Sequence, residues 1–153
     1  MAFLSDAPLE LQTLEQHVAE PRRGALVSFV GTVRDHHKGK KVTGLSYSAY
    51  GPMAENLCRD IVSRAERRWP VSVALSHRIG DVAIGDAAVM VVVAGDHREE
   101  AFAACRQVVE EVKRRVPIWK RERYADGTEA WVDPTAPGGT HAAASDESKV
   151  PQA

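Results

Sequence analysis

The segment KRRVPIWKRER, residues 113–123, holds the side chains in this sequence that are best suited to acid–base chemistry. It contains six cations and one acid, and Lys113 and Lys120 stand seven residues apart across Pro117. A lysine that lies beside other cations and is partly desolvated has a lowered pKa, so its amine can act as acid, base or nucleophile near neutral pH. Cations also collect at helix C-termini, where the helix dipole favours them. The pattern alone leaves both interpretations of the segment open.

The insert between the two lysines predicts how they are held. Proline cannot continue a helix, so the helix that carries Lys113 should end just before Pro117. Burial of Ile118 and Trp119 would then fix Lys120 in the extended chain that follows. We therefore expect the spacing of seven to come from a helix end and an extended segment, and not from one helical face.

A second cationic segment, GDHREEAF, follows a strongly apolar run. Asp96 and Glu99 have the spacing of a capping box, which predicts the start of a helix. Such a start presents His97 and Arg98 beside free backbone N–H groups, where anions bind. On a helical wheel Arg98 lies near the centre of the apolar stripe, so it must turn aside, pair with an acid or meet a ligand. A structural ion pair at a capped helix start is the alternative.

A third segment, GTVRDHHKGK, places Arg34 after a predicted strand and at the start of a basic loop. The adjacent His36 and His37 point in opposite directions in an extended chain, and the sequence offers no third ligand at a recognisable spacing. We therefore predict no metal site. The lysines of this loop are expected to form a solvated tip.

The sequence offers no obvious nucleophile. Cys58 and Cys105 lie within helical patterns and are expected to be small buried core residues. Ser28 lacks a G-x-S-x-G context, and the sequence has neither a Walker loop nor a Rossmann fingerprint. The residues alone thus predict a pocket for a small anion such as a phosphate, lined by Arg34, His97, Arg98, Lys113 and Lys120.

The elements that position these residues follow from hydrophobic periodicity. Helical patterns cover residues 5–20, 52–69 and 96–115, and strand patterns cover residues 25–33, 42–50, 71–79, 88–95 and 130–132. The run AVMVVVAG is apolar almost throughout, which predicts a central strand covered on both faces. We expect Ser5 or Asp6 to cap the first helix, and the first two strands to form a hairpin. Adjacent pairs of strands favour an α+β fold with a mostly antiparallel sheet.

Length and composition are typical of one soluble domain. The chain has 153 residues, 44% hydrophobic and 27% charged. We predict a single domain at 1–133 and a disordered tail at 134–153, where large apolar residues are almost absent. A net charge of −1 argues against a nucleic-acid partner. Two cysteines without CxxC spacing, no signal-peptide pattern and no apolar run of membrane-spanning length indicate a cytoplasmic protein without a membrane partner.

Five motifs run in a recognisable order across residues 24–132: FVGTVRDHHKGK, YSAYGPMAE, HRIGDVAIGD, VVVAGDHREEAFAACR, and VKRRVPIWKRE followed by WV. In this combination the sequence resembles the large, catalytic subunit of molybdopterin synthase. The resemblance implies an α/β hammerhead fold with about three helices, and conversion of cyclic pyranopterin monophosphate to molybdopterin by transfer of two sulfurs. It implies a small ubiquitin-like partner with a C-terminal Gly-Gly thiocarboxylate, and a homodimer within a heterotetramer. It implies no cofactor and no metal.

The same resemblance assigns site residues. It implies that Lys113 and Lys120 are catalytic and contact the substrate. The other substrate-binding residues that it implies are Thr32, Val33, Arg34, His97, Arg98, Arg121 and Glu122. Ser46 and Ser48 stand where family members often carry glutamates, and the pair Gly138–Gly139 is internal, so it cannot be the thiocarboxylate donor. Two rival functions stay open: a non-catalytic phosphate- or nucleotide-binding dimeric module, and an inactive regulatory or scaffold protein.

Overall fold

The computed structural model describes residues 2–132 and 141–143, which form three helices and two sheets. The helices are α1 (Leu11–Val18), α2 (Gly51–Arg68) and α3 (Arg98–Arg115). The strands are β1 (Leu4–Ser5), β2 (Ala25–Thr32), β3 (His36–His37), β4 (Lys40–Ala49), β5 (Val71–Arg78), β6 (Gly80–Val82), β7 (Ala87–Gly95), β8 (Ile118–Tyr124), β9 (Glu129–Val132) and β10 (His141–Ala143). This arrangement confirms the predicted α+β class.

The first sheet has the order β1-β5-β7-β2, and all its pairings are antiparallel except the parallel pair β1–β5. Side chains of β7 alternate between two cores. Val91 and Val93 pack in the core that α2 and α3 cover, whereas Met90 and Val92 pack against Leu14 of α1 and its neighbours. The prediction of a central strand covered on both faces is therefore confirmed.

The second sheet has the order β10-β9-β8-β4-β3, with β6 paired to β4. The expected hairpin between β2 and β4 is wrong, because β2 pairs with β7 and β4 pairs with β8. The inner side chains of β2, Val27 and Phe29, pack in the core under α2 and α3, and this long-range burial outweighs local pairing. A shorter hairpin joins β3 to β4 and turns at Lys38 and Gly39, both of which have positive φ.

Two helix starts differ from the predictions. α1 begins only at Leu11, because Leu4 and Ser5 pair with β5, so neither Ser5 nor Asp6 caps it. α3 begins after His97, whose backbone N–H donates to Glu100 at 2.9 Å. Asp96, the predicted cap, instead accepts a hydrogen bond from Arg23 at 2.7 Å. The predicted end of α3 at Arg115 is confirmed.

The chain after Val132 falls largely outside the described residues. Within the predicted tail the structure describes residues 141–143 alone, and they form β10, antiparallel to β9. The pair Gly138–Gly139 lies outside the described residues.

Candidate functional site

A cavity of about 230 Å³ opens where the C-terminal end of α3 meets both sheets. Its charged lining comes from three parts of the chain: Arg34 after β2, Lys113 in the last turn of α3, and Lys120 on β8. Thr32, at the end of β2, also lines it. The structure thus brings together four of the residues that the sequence singled out, three of them cationic.

The meeting of Lys113 and Lys120 is built by the break at Pro117. The N–H of Val116 still donates to Val112 at 3.1 Å, closing the last helical turn, and Ile118 then begins β8. Val116 and Ile118 are 1% and 3% exposed, so they anchor the turn on both sides of the proline. Because side chains alternate along a strand, Lys120 leaves β8 on the same face as Ile118.

The predicted role of Trp119 in this turn needs correction. Trp119 is half-buried and lies on the other face of β8, outside the cavity. The side chains that fix the direction of Lys120 are therefore Val116 and Ile118, which both line the cavity. The expectation that the two lysines reach one pocket from a helix end and an extended segment agrees with this geometry.

The surroundings of Lys113 in the cavity lower the pKa of its amine. Partial loss of hydration lowers the pKa of its amine, and the charges of Lys120 and Arg34 lower it further. The side chain is exposed at the mouth of the cavity, so solvent screens part of this effect. A lysine with a lowered pKa can exchange a proton at neutral pH more readily than a free surface lysine.

Lys120 is held by a buried carboxylate. Glu122, on the same face of β8 and 3% exposed, lies 3.3 Å from Lys120 Nζ. The same carboxylate contacts His37 Nδ1 at 2.8 Å and accepts a hydrogen bond from the Tyr124 hydroxyl at 2.9 Å. Burial raises the pKa of Glu122, but these hydrogen bonds and the charge of Lys120 outweigh burial and lower it. Glu122 is therefore an ionised anchor for Lys120.

A smaller adjoining cavity of about 40 Å³ connects this anchor to the main one. Val33 lines it but is only 4% exposed and packs with Leu45 and Val82. Arg121, predicted to bind substrate, lies on the opposite face of β8, over the Trp131 ring at 5.7 Å and 3.9 Å from Glu129. The backbone of Val33 is engaged within the chain, because its N–H donates to Asp86 at 3.0 Å and its carbonyl accepts from Gly85 at 2.8 Å. Arg121 lines neither cavity.

His97 and Arg98 lie far from the two lysines of the same chain. They are exposed at the N-terminal end of α3, in a separate concavity with Gly24, Ala25, Asp96 and Glu99. Sixteen residues of helix separate His97 from Lys113, which corresponds to roughly 24 Å. The exposed side chain of Arg98 agrees with the first of its expected outcomes, because it turns aside from the core, which on α3 begins at Ala101.

Two residues of the cavity were missed as site residues. Tyr47 of β4 and His77 of β5 line it, and their rings pack edge to face with centroids 5.0 Å apart. Burial, and then the charge of Glu122, raises the pKa of Tyr47 to about 12. The sequence held a signal for His77, which alternates in register with apolar Val73 and Leu75 and so had to be buried.

Other candidate chemistries find little support in the residues that the structure describes. Cys58 and Cys105 are unpaired and buried, and burial raises the pKa of their thiols to about 12 and about 11. Their thiolates are therefore scarce at neutral pH. Residues 2–132 contain no group of three His, Cys, Asp or Glu side chains that could hold a metal ion. In the same residues, no helix is long and apolar enough to cross a membrane.

Ser46 and Ser48 lie on β4 beside β8. The Ser46 hydroxyl donates to Asp81 of β6 and accepts a hydrogen bond from Arg123 at 3.1 Å. Ser48 is half-buried and lies opposite Trp119 in the β4–β8 pairing. An acid from the neighbouring strand thus lies within reach of Ser46, at the position where a glutamate was expected by resemblance.

Fold and cavity together define an α+β protein with a cationic cavity of a size and charge suited to a small anion. The family model described as MoaE protein matches residues 4–115. The molybdopterin synthase catalytic subunit 1 of Mycobacterium tuberculosis is 45% identical over 130 residues, which cover 84% of this chain and 88% of that protein. The chain therefore belongs to the MoaE protein family.

Solved structures agree with this assignment. Molybdopterin synthase from Staphylococcus aureus matches with a TM-score of 0.81 and 35% identity, covering 85% of this chain and 95% of that one. A complex of subunits 1 and 2 of the molybdopterin-converting factor from Helicobacter pylori matches with a TM-score of 0.60 over 82% of this chain and 74% of that one. Its identity of 24% supports likeness of fold alone.

Proposed function

We propose that this chain is the catalytic subunit of a molybdopterin synthase. It converts cyclic pyranopterin monophosphate to molybdopterin by receiving two sulfurs from the C-terminal thiocarboxylate of a small ubiquitin-like partner. The observation that carries the proposal is the convergence of Lys113, Lys120 and Arg34 in one cavity of a MoaE family member. The proposal includes a cytoplasmic location, which the two unpaired cysteines support.

The charge of the cavity suits both reactants. A phosphate group on the substrate and a thiocarboxylate on the donor are anions, and Arg34 with the two lysines supplies cationic donors for them. The two described cysteines are poor nucleophiles, so the sulfur must come from outside this chain. An external thiocarboxylate fulfils that need without a cofactor or a metal.

Within this site the two lysines are set up for different tasks. Lys120 is tied to the ionised Glu122 and is thereby oriented, which suits stabilisation of negative charge on the reacting carbonyl or phosphate. Lys113 has a lowered pKa and no carboxylate partner among the described residues, which suits proton transfer. We assign electrostatic stabilisation to Lys120 and proton exchange to Lys113.

His97 and Arg98 can contribute to this site only from a second copy of the chain. They lie roughly 24 Å along α3 from Lys113, too far to share one small ligand within a chain. In a symmetric homodimer the helix start of one protomer can approach the cavity of the other. We therefore propose that each complete site combines Lys113 and Lys120 of one protomer with His97 and Arg98 of its partner.

The first test replaces each lysine. Lys113→Ala and Lys120→Ala should each abolish most molybdopterin formation from cyclic pyranopterin monophosphate and thiocarboxylated partner, with urea unfolding close to wild type. Lys41→Ala, which changes an exposed lysine of the β3–β4 hairpin, is the matched control and should retain activity. Near wild-type conversion by both cavity variants would overturn the proposed function. A chain that binds the substrate but never turns over with the thiocarboxylated partner would instead be a phosphate-binding module.

The second test asks whether a site is shared between protomers. Arg98→Ala and Lys120→Ala chains are each expected to be inactive alone. When they are co-expressed and assemble at random, half the dimers are mixed and one of their two sites is intact, so activity should recover to about a quarter of wild type. Inactivity of the mixed dimers, isolated by two different affinity tags, would place His97 and Arg98 outside the lysine site.

A further inference from the structure

His77 is a buried polar side chain in the cavity that no step of the proposed function has used. It lies on β5, is 9% exposed, and lines the cavity together with Lys113 and Lys120. The ring is fixed in place on one side by its edge-to-face contact with Tyr47, at an interplanar angle of 79°. A buried polar group normally has a hydrogen-bond partner for each of its polar atoms, so a partner is expected for both ring nitrogens, Nδ1 and Nε2.

The first nitrogen is bound by the backbone. His77 Nδ1 lies 2.7 Å from the carbonyl oxygen of Arg78. A carbonyl oxygen only accepts, so Nδ1 carries the proton and the neutral ring has its lone pair on Nε2. Burial lowers the pKa of His77 to about 4, the Arg78 carbonyl opposes this, and the charge of Lys113 adds to it. The ring is therefore neutral at pH 7, with Nε2 as a hydrogen-bond acceptor.

The second nitrogen has no partner in the part of the chain that the structure describes. Among residues 2–132, no side chain or backbone group donates a hydrogen bond to Nε2. The charged side chains that share the cavity are Arg34, Lys113 and Lys120, which in their charged forms only donate. His77 thus provides a fixed neutral acceptor in a cavity whose charged groups are donors.

A cavity with cationic donors and one neutral acceptor can distinguish the anionic end of a ligand from an end that carries N–H or O–H groups. An anionic oxygen is attracted by the cations but repelled by the lone pair of Nε2, whereas an N–H or O–H group satisfies it. We propose that His77 Nε2 accepts a hydrogen bond from an N–H or O–H group of the substrate, and so orients the substrate with its phosphate toward the cations. The inference rests on the proposed function, because it takes cyclic pyranopterin monophosphate, which carries both kinds of group, as the ligand.

Two substitutions of His77 distinguish the role of Nδ1 from the role of Nε2. His77→Asn keeps an amide N–H near the position of Nδ1, so it can still donate to the Arg78 carbonyl, but it removes the acceptor at Nε2. His77→Gln places an amide oxygen near the position of Nε2 and loses the donor at Nδ1. A role in binding substrate and a role in holding the backbone therefore predict opposite orders for the two variants.

The measurement is calorimetric titration with cyclic pyranopterin monophosphate and, separately, with inorganic phosphate. His77→Asn should weaken binding of the pterin about 3- to 30-fold, the range for loss of one hydrogen bond, and His77→Gln should weaken it less. Inorganic phosphate should bind both variants within about twofold of wild type, because it contacts the cations and not the ring. Pterin binding by His77→Asn that equals wild type, or exceeds that of His77→Gln, would overturn the inference.

A second measurement needs no substitution and so does not depend on the variants folding. In wild-type protein labelled with ¹⁵N-histidine, the Nε2 signal of His77 should move upfield, as expected for an acceptor that gains a hydrogen bond, when the pterin is added and not when phosphate is added. An unmoved signal at saturation would overturn the inference. If the wild type binds no pterin, the proposed function fails and this inference fails with it. If both lysine variants lose activity while His77 behaves as a bystander, only the inference fails.

Discussion

Glu122 is the buried charge on which the position of Lys120 depends, and its neutralisation is the most informative single change. The carboxylate is 3% exposed and serves three groups: His37 at 2.8 Å, Tyr124 at 2.9 Å and Lys120 at 3.3 Å. Glu122→Gln keeps the shape but removes the charge and turns an N–H₂ group toward at least one donor. Hydrogen bonds to charged groups contribute about 1.5–3 kcal/mol each, so we expect a loss of roughly 2–4 kcal/mol in the free energy of unfolding at pH 7.

The effect must also depend on pH, in a defined direction. Burial raises the pKa of Glu122, but the hydrogen bonds from His37 and Tyr124 and the charge of Lys120 bring it below its usual value of 4.5. A carboxyl whose pKa is lowered by folding stabilises the protein above its unfolded-state pKa, and this stabilisation is lost as pH falls through the folded-state pKa. The wild type therefore begins to lose this contribution as pH falls below 4.5, the usual value, and loses it fully below the lowered pKa of folded Glu122, whereas Glu122→Gln has none to lose.

Urea unfolding followed by tryptophan fluorescence measures both effects, because Trp119 and Trp131 lie on β8 and β9 beside this network. The wild type and Glu122→Gln are compared at pH 7 and pH 3.5, and the difference should shrink at the lower pH. Glu129→Gln is the control: Glu129 lies 3.9 Å from Arg121 and is partly exposed, so it should cost less than about 1 kcal/mol. A Glu122→Gln difference at pH 7 no larger than that of the control, or one that is unchanged at pH 3.5, would refute the reasoning.

Three further predictions concern the core, a tight backbone contact and the cavity. Val92→Ala, at a residue with 0% exposure, should lower the free energy of unfolding by about 2–3 kcal/mol in urea titrations, since two methyl groups leave a packed core. Gly24→Ala should lower the melting temperature, because an added Cβ would lie 2.8 Å from the backbone oxygen of Asp96; an unchanged melting temperature would contradict that contact. Arg34→Gln should raise the pKa of Lys113, read from the pH dependence of its side-chain NMR signals, because a charge that lowers this pKa is removed; an unchanged or lower pKa would contradict it.

Local sequence patterns predicted the helices and strands of this fold better than they predicted which strands pair with each other. The continuous apolar run of β7 was sufficient to predict a central strand, and Pro117 was sufficient to predict the end of α3. The pairing of β4 with β8 joins residues 69 to 82 positions apart, from Ala49 with Ile118 to Val42 with Tyr124, and no local signal specifies it. For the same reason the pairing of β2 with β4, which looked favourable because the two strands are neighbours in sequence, was wrong.

For the candidate site, too, the sequence predicted some features and left others that only the three-dimensional structure shows. The cations of the cavity could be chosen as candidates from residue type and spacing, although the pattern alone left a basic helix end as an open alternative. The anchoring of Lys120 by Glu122 required knowing that the chain after Pro117 is a strand, because only then do residues two apart share a face. The contact of His37 with Glu122 required the docking of a hairpin whose tip had been read as solvated surface.

The balance of charge in the cavity explains why two different anions suit it. Arg34, Lys113 and Lys120 bring three positive charges, Glu122 neutralises one, and His77 is neutral, so the described residues leave two positive charges when Lys113 is protonated. A cyclic phosphate diester carries one negative charge and a thiocarboxylate carries another. Either anion alone leaves an excess cation among these residues of one protomer, and both together match them. Arg98 of the second protomer would add one more positive charge to the complete site proposed above. The neighbouring positive charges favour the neutral form of Lys113 in the empty cavity. A bound anion cancels part of that charge, so the pKa of Lys113 should be higher with one reactant bound than in the empty cavity. Proton exchange at Lys113 is thereby coupled to the arrival of both reactants.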